Sequence, residues 1–198
     1  IIMGKIIAIA NQKGGVGKTT TTINLGCALS ELNNKVLIVD LDPQANASIG
    51  LGISRELLNV TTYELLTTDI SASEVIYNKF DSKVHIMPAS FKLNVIAENM
   101  ENIESKRLQL YNKLSQIKND YDYILIDCPP SLGMIIDNAL FASDSIIIPV
   151  ECEYYAYDAL TQMVNKINQV QKAKKEYNLN LYIEGVLLTK LDNRNIFG

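Results

Sequence analysis

One short stretch near the start limits what this chain can fold into: Lys13-Gly14-Gly15-Val16-Gly17-Lys18-Thr19-Thr20. An apolar run, Ile6-Ile7-Ala8-Ile9-Ala10, comes before it, and a helical pattern over 21–32 comes after it. Strand, glycine-rich turn and helix, in that order, form a cradle for phosphate. The unpaired N–H groups at a helix start attract an anion. Gly14, Gly15 and Gly17 let the backbone wrap close to it without Cβ clashes. Lys18 then reaches the β- and γ-phosphate oxygens, the Thr19 hydroxyl ligates Mg²⁺, and Thr20 bonds an α-phosphate oxygen. The residues expected to bind nucleotide are therefore Gly14, Gly15, Val16, Gly17, Lys18, Thr19 and Thr20. The general pattern G-x-x-x-x-G-K-[ST] places a glycine at position 12, where this chain has Gln12. A second lysine, Lys13, opens the loop instead.

The remainder alternates buried strands with helices. Strands are expected at 5–12, 35–42, 84–87, 121–128, 145–150 and 181–189. Helices are expected at 21–33, 61–66, 71–77, 103–119, 135–142 and 158–177, with Thr62 and Ser71 as caps. Residues 44–52 read as a loop of small side chains. This alternation predicts an α/β fold: a doubly wound, mainly parallel sheet with helices on both faces. At 198 residues the chain reads as a single phosphate-loop domain over 1–198.

Three acids stand where such a loop needs them. Asp127 ends an apolar strand, the place for an acid that supports Mg²⁺ through a water. Asp40 and Asp42 share a face at the end of the second strand, by the two-residue period. Asp40 is assigned to the water shell of the metal, and Asp42 to orienting an attacking water. A plain turn cap is the simpler alternative at either position. Lys13 has no task in its own site if Lys18 already holds the phosphates. It can reach a nucleotide on a second copy and stabilise transition-state charge there; a solvated lysine is the alternative. The candidate catalytic residues are thus Lys13 and Asp42, and the candidate metal residues are Thr19, Asp40 and Asp127.

The formal net charge of −4 does not advertise nucleic acid, although a local patch can serve. Lys166, Lys172, Lys174 and Lys175 form a basic cluster on or just after a helix; a solvated helix face is the plain alternative. Cys27, Cys128 and Cys152 lack metal-site spacing and read as reduced thiols. The single histidine, His85, lies in an apolar run and reads as structural. No apolar run approaches the ~18 residues of a membrane span, and no signal peptide precedes the first strand. A cytoplasmic protein with no membrane partner is the expectation.

Three stretches together resemble the ParA-type partition ATPases, in particular their chromosomal Soj-like branch. They are Asn11 to Thr20, Val39-Asp40-Leu41-Asp42-Pro43-Gln44-Ala45-Asn46-Ala47-Ser48, and Ile126-Asp127-Cys128-Pro129-Pro130-Ser131. Pro149 to Ala156 and Gly185 to Thr189 resemble it as well. The resemblance implies an ATP- and Mg²⁺-dependent homodimer with two nucleotides between its subunits. It also implies binding to double-stranded DNA without sequence preference, a nucleoid-associated location, and a ParB-like partner that stimulates slow hydrolysis. By position, Lys13 is the lysine acting in trans, and Gly14 lies near the partner subunit. Arg194 occupies a DNA-facing position. The resemblance further implies a strand and helices after residue 198, so the chain is expected to lack a C-terminal portion. No helix-turn-helix extension is expected ahead of Lys5, which argues against the larger plasmid members that regulate their own promoter. A MinD-like membrane-associated division-site ATPase is the alternative, and Asp42-Pro43-Gln44 favours the partition reading. Thr189-Lys190-Leu191-Asp192 resembles a guanine-reading element, but the loop and the 40–48 stretch favour ATP.

Overall fold

The computed structural model describes residues 4–54, 58–78, 83–99, 104–152 and 156–191. Runs of apolar residues become six strands: β1 (Lys5–Ile9), β2 (Val36–Asp40), β3 (Val84–Met87), β4 (Tyr123–Asp127), β5 (Ser145–Glu151) and β6 (Tyr182–Thr189). They form one sheet in the order β3-β2-β4-β1-β5-β6, and every ladder is parallel. β1, β2 and β4 are buried almost throughout, as strands covered on both faces must be. β6 lies at the sheet edge and leaves Tyr182, Ile183, Val186, Leu187 and Leu188 exposed.

Seven helices surround the sheet: α1 (Lys18–Glu31), α2 (Asn46–Gly50), α3 (Thr62–Thr67), α4 (Leu93–Asn99), α5 (Gln109–Ser115), α6 (Met134–Ala142) and α7 (Ala156–Lys175), counted among the described residues. The two-residue period of the strands divides the core in two. Ile7, Ile9, Ile38 and Leu125 face α1 and α2, where Ile23, Leu25, Leu29 and Ala47 meet them. Ile6, Ala8, Leu37, Val39, Ile124 and Ile126 face the other side, with Leu65, Leu93, Leu110, Ala139, Met163 and Ile167 from α3 to α7. The doubly wound expectation therefore holds.

This winding positions the site. β1 runs between β4 and β5. α1 carries the chain from β1 to β2 over one face, whereas α6 carries it from β4 to β5 over the other. Connections that leave on opposite sides open a crevice at the carboxyl ends of the strands. The phosphate loop, Asp40 and Asp127 all sit there.

Some local expectations need correction. The small-residue loop at 44–52 contains α2, which begins after Ala45 in a left-handed conformation (φ 54°). The helix expected over 103–119 is broken into a 3-10 turn at Glu104–Leu108, then α5, then a second 3-10 turn at Lys118–Asp120. The segment at 71–77 makes only the 3-10 turn Ala72–Val75, and Tyr77 instead bridges Ile86 of β3. α3 is capped by Thr61 rather than Thr62, in a capping box with Glu64. α4 had no counterpart in the sequence reading.

α1 approaches the sheet closely at Gly26. A Cβ there would lie 2.9 Å from Ile38 Cδ1 and 3.6 Å from Leu125 Cδ1. Gly26→Ala needs only the tip of Ile38 to shift, and the helix gains propensity, so stability should stay within about 1 kcal/mol of wild type. Gly26→Val overfills the same space and should lose about 1–3 kcal/mol in urea denaturation.

Candidate nucleotide and metal site

The loop from Ala10 to Gly17 joins β1 to α1. Gly15 (φ 73°) and Gly17 (φ 91°) are left-handed, a conformation that side chains with a Cβ rarely adopt. Gly14 is different: its φ is not positive, and a Cβ there would meet nothing within 4 Å. Among the described residues nothing requires glycine at this position. Gly14 and Gly15 form the exposed crest of the loop, while Val16 is buried beneath it.

Lys18 is 6 % exposed and folds back over the loop, its Nζ donating to the Lys13 carbonyl at 3.0 Å. Burial lowers its pKa; nearby Cys128, Asp127 and Asp42 oppose that shift. Thr19 is half-buried in the first turn of α1, where its side chain favours the ionised form of Asp127. Thr20 is exposed. Thr22, which the sequence reading passed over, donates to the Lys18 carbonyl at 3.0 Å and approaches Asp127 Oδ1 at 3.4 Å.

Asp40 and Asp127 are register partners on adjacent strands, and both are fully buried. Burial, reinforced by Asp40, pushes the Asp127 carboxyl up to about 7. Its Oδ2 is buried with no hydrogen-bond partner among the described residues. A buried carboxylate oxygen of this kind, beside the Thr19 hydroxyl, is a fitting donor set for a hard divalent cation such as Mg²⁺.

Asp40 is placed differently from expectation. Burial raises its carboxyl to about 6, against the pull of its hydrogen bonds from Ser48 and Asp42. Oδ1 accepts from the Asp42 N–H at 3.1 Å, and Oδ2 accepts from the Ser48 N–H and hydroxyl at 2.9 and 2.7 Å. Both oxygens are thus occupied within the chain. Asp40 thereby organises the segment from Asp42 to Ser48. Asp42 itself is 8 % exposed, and its Oδ1 accepts from the Gln44 N–H at 2.9 Å.

The β5–β6 side of the site was not foreseen. Asn11 Nδ2 donates to the Pro149 carbonyl at 2.7 Å, while Asn11 Oδ1 accepts from the Lys13 N–H at 3.0 Å. The Thr189 hydroxyl donates to the Val16 carbonyl at 2.9 Å. The threonine of the supposed base-reading element therefore braces the phosphate loop; Asp192, its acid, lies outside the described residues. Lys13 Nζ approaches Glu151 Oε2 at 3.4 Å.

Two of the lysines assigned to DNA are committed elsewhere. Lys174 is 2 % exposed and donates to the Leu140 and Ser143 carbonyls at the end of α6; burial lowers its pKa to about 8. The signal was available in the sequence: Met163, Ile167, Val170 and Lys174 share one helical stripe. Lys166 pairs with Asp137 at 2.5 Å. Lys172 and Lys175 remain exposed, but near the end of α7, at the sheet edge opposite the phosphate loop. Arg194 lies outside the described residues. Cys128 is buried, and burial pushes its thiol well up. Among the described residues no helix is long and apolar enough to cross a membrane.

The glycine turn, the phosphate lysine and the strand-end acids define a phosphate-loop nucleotide-binding protein. A family model described as an AAA domain matches residues 4–183. The sporulation initiation inhibitor protein Soj of Bacillus subtilis (strain 168) is 47 % identical over 196 residues, covering 99 % of this chain and 76 % of its own length. A plasmid partition protein from Borrelia burgdorferi superposes with a TM-score of 0.79 at 34 % identity, covering 98 % of this chain and 83 % of that one. Cobyrinic acid a,c-diamide synthase from Mycobacterium smegmatis, solved with ADP and magnesium, gives a TM-score of 0.88 at 34 % identity, covering 98 % and 77 %. The chain belongs to the ParA/Soj family of partition ATPases.

The raised Asp127 carboxyl predicts a pH effect. Its pKa is about 7 when folded against 3.8 as the ordinary value, so the unfolded chain releases this proton at lower pH. Stability from this group therefore falls as pH rises between these values, and the full cost is present at pH 8. Asp127→Asn should raise the melting temperature of the nucleotide-free protein. The gain should be at most on the order of 4 kcal/mol at pH 8 and about 1–2 kcal/mol at pH 5, as read by thermal denaturation.

Proposed function

We propose that this chain, as a single domain over 1–198, is the catalytic core of a cytoplasmic, ATP-driven DNA-partition switch. The observation that carries the nucleotide chemistry is the orphaned, buried Asp127 oxygen beside a preformed phosphate loop. ATP binds with its phosphates against the N–H groups from Gly14 to Thr20, and Lys18 bridges the β- and γ-oxygens. Thr19 and Asp127 would hold Mg²⁺, which would supply screening of the phosphate charge. Asp42 orients the attacking water, and Asp40 fixes the loop that carries it.

The switch works between two copies. Gly14 has no intrachain reason to be glycine, which supports a close approach from outside at that point. Lys13 crosses to the partner's phosphates and stabilises the transition state there. The ATP-bound dimer binds double-stranded DNA without sequence preference and so associates with the nucleoid. A ParB-like partner stimulates hydrolysis and resets it. The kinship with Soj and with plasmid partition proteins supports this reading. Lys172, Lys175 and Arg194 are the basic residues retained for DNA.

A second reading, a small-molecule amide-forming ligase, is favoured by the similarity to the Mycobacterium smegmatis synthase. DNA binding separates the two. Asp42→Ala should trap the triphosphate state, and random-sequence duplex DNA should then bind with ATP but not with ADP or GTP. That binding should weaken by at least about tenfold between 50 and 200 mM salt. Absence of DNA binding at confirmed ATP occupancy would reject the partition reading. Gly14→Val should keep the wild-type melting temperature yet lose ATP-dependent dimers in sedimentation.

A further inference from the structure

The β5–β6 wall of the site carries charges that the reaction above does not use. Glu151 is the last residue of β5 and is in register with Thr189 of β6. Its Oε2 lies 3.4 Å from Lys13 Nζ, and its Oε1 lies 3.1 Å from Lys190 Nζ. One carboxylate therefore takes two ammonium groups, one on each oxygen. The Glu151 side chain is 14 % exposed, against 30 % for Lys13 and 54 % for Lys190. Lys190, and after it Lys13, holds the carboxyl below its usual range.

The backbone fixes all three anchor points. Lys13 is tied to β5 through Asn11, which bonds both the Lys13 N–H and the Pro149 carbonyl. Thr189 grips the Val16 carbonyl, and the Cys152 N–H bonds the Thr189 carbonyl at 3.4 Å. Lys190 follows immediately in a left-handed conformation (φ 53°), uncommon for a residue with a Cβ. The loop, the end of β5 and the end of β6 thus meet around a single carboxylate.

An anion shared between two cations is divided between them, and the cations repel each other. For Lys13 to reach the phosphates of a second copy, its ammonium must leave Glu151. We propose that Glu151 is a positioning residue that holds Lys13 within its own subunit until a second copy docks. Lys190 sets the strength of that hold by occupying the other carboxylate oxygen. This rests on the reading that Lys13 acts across a dimer.

The two partners should then have opposite effects. Glu151→Gln removes the charge at nearly constant size and weakens the hold on Lys13. Lys190→Met leaves the whole carboxylate to Lys13 and tightens the hold. The double variant should behave as Glu151→Gln if Lys190 works through its contact with this carboxylate. A merely structural role would not produce effects of opposite sign.

Sedimentation of the full chain with Mg²⁺ and a non-hydrolysable ATP analogue, across a protein concentration series, reads this directly. Glu151→Gln should dimerise at about two- to fivefold lower concentration than wild type, the scale an exposed ion pair can supply. Lys190→Met should need about two- to fivefold higher concentration, on the same scale. Lys190→Met alters an exposed side chain and carries the test even if Glu151→Gln proves unstable. No shift in either variant, or shifts in the same direction, would overturn the proposal. Lys13→Ala separates the layers. If it abolishes ATP hydrolysis while the other variants leave dimerisation unchanged, the hold on Lys13 fails alone. If Lys13→Ala leaves hydrolysis and dimerisation as in wild type, the trans-acting lysine fails and the hold fails with it.

Discussion

Asp40 and Asp127 stand side by side at the ends of two central strands, both out of water. Two carboxylates cannot remain ionised there without help; burial raises the proton affinity of both, and Asp40 adds to the rise at Asp127. The structure resolves the pair asymmetrically. Asp40 receives three hydrogen bonds from the following loop, whereas Asp127 keeps one oxygen bare. The first is thereby spent on shaping the loop that carries Asp42. The second is left for something that arrives with the nucleotide. Burial depends on the doubly wound sheet, since only strands covered on both faces can dehydrate their carboxyl ends so fully.

The rest of the site is built so that the loop cannot drift from these acids. Lys18 is tied to the loop's own carbonyl, Thr22 links α1 to Asp127, and Thr189 braces the loop from β6. The charge cluster around Glu151 completes this wall. The crest at Gly14 and Gly15 stays open to solvent. A rigid floor with an open crest suits a site that is finished by a second copy.

The phosphate loop was legible because its determinants are local: two left-handed glycines, a lysine and a helix start within eight residues. The parallel sheet was legible because runs such as Val36 to Val39 are apolar at every position. Lys174 was misread because composition counts a charge without asking which stripe it occupies; its partners, the carbonyls ending α6, are far away in sequence. Asp40 was assigned from its place at a strand end, but its contacts depend on Ser48, inside a helix the small residues did not announce. Glu151 was invisible as a site residue, and Thr189 was seen only as part of a base-reading element, because the β5–β6 pairing is what brings them to the loop. The helix expected over 103–119 followed its apolar period, which does not report the 3-10 turns that break it.

The central claim is that one copy supplies the floor of the site and the other supplies Lys13. Mixing two inactive variants tests it. Lys13→Ala lacks the crossing lysine, and Asp42→Ala lacks the water-orienting acid. In a mixed dimer, the site on the Lys13→Ala subunit keeps its own Asp42 and receives Lys13 from its partner. ATP hydrolysis by the mixture should therefore recover to about a quarter of wild type, from one competent site in the half of dimers that are mixed. Hydrolysis that stays at the level of the separate variants, with mixed dimers confirmed, would place Lys13 in its own site and contradict the account.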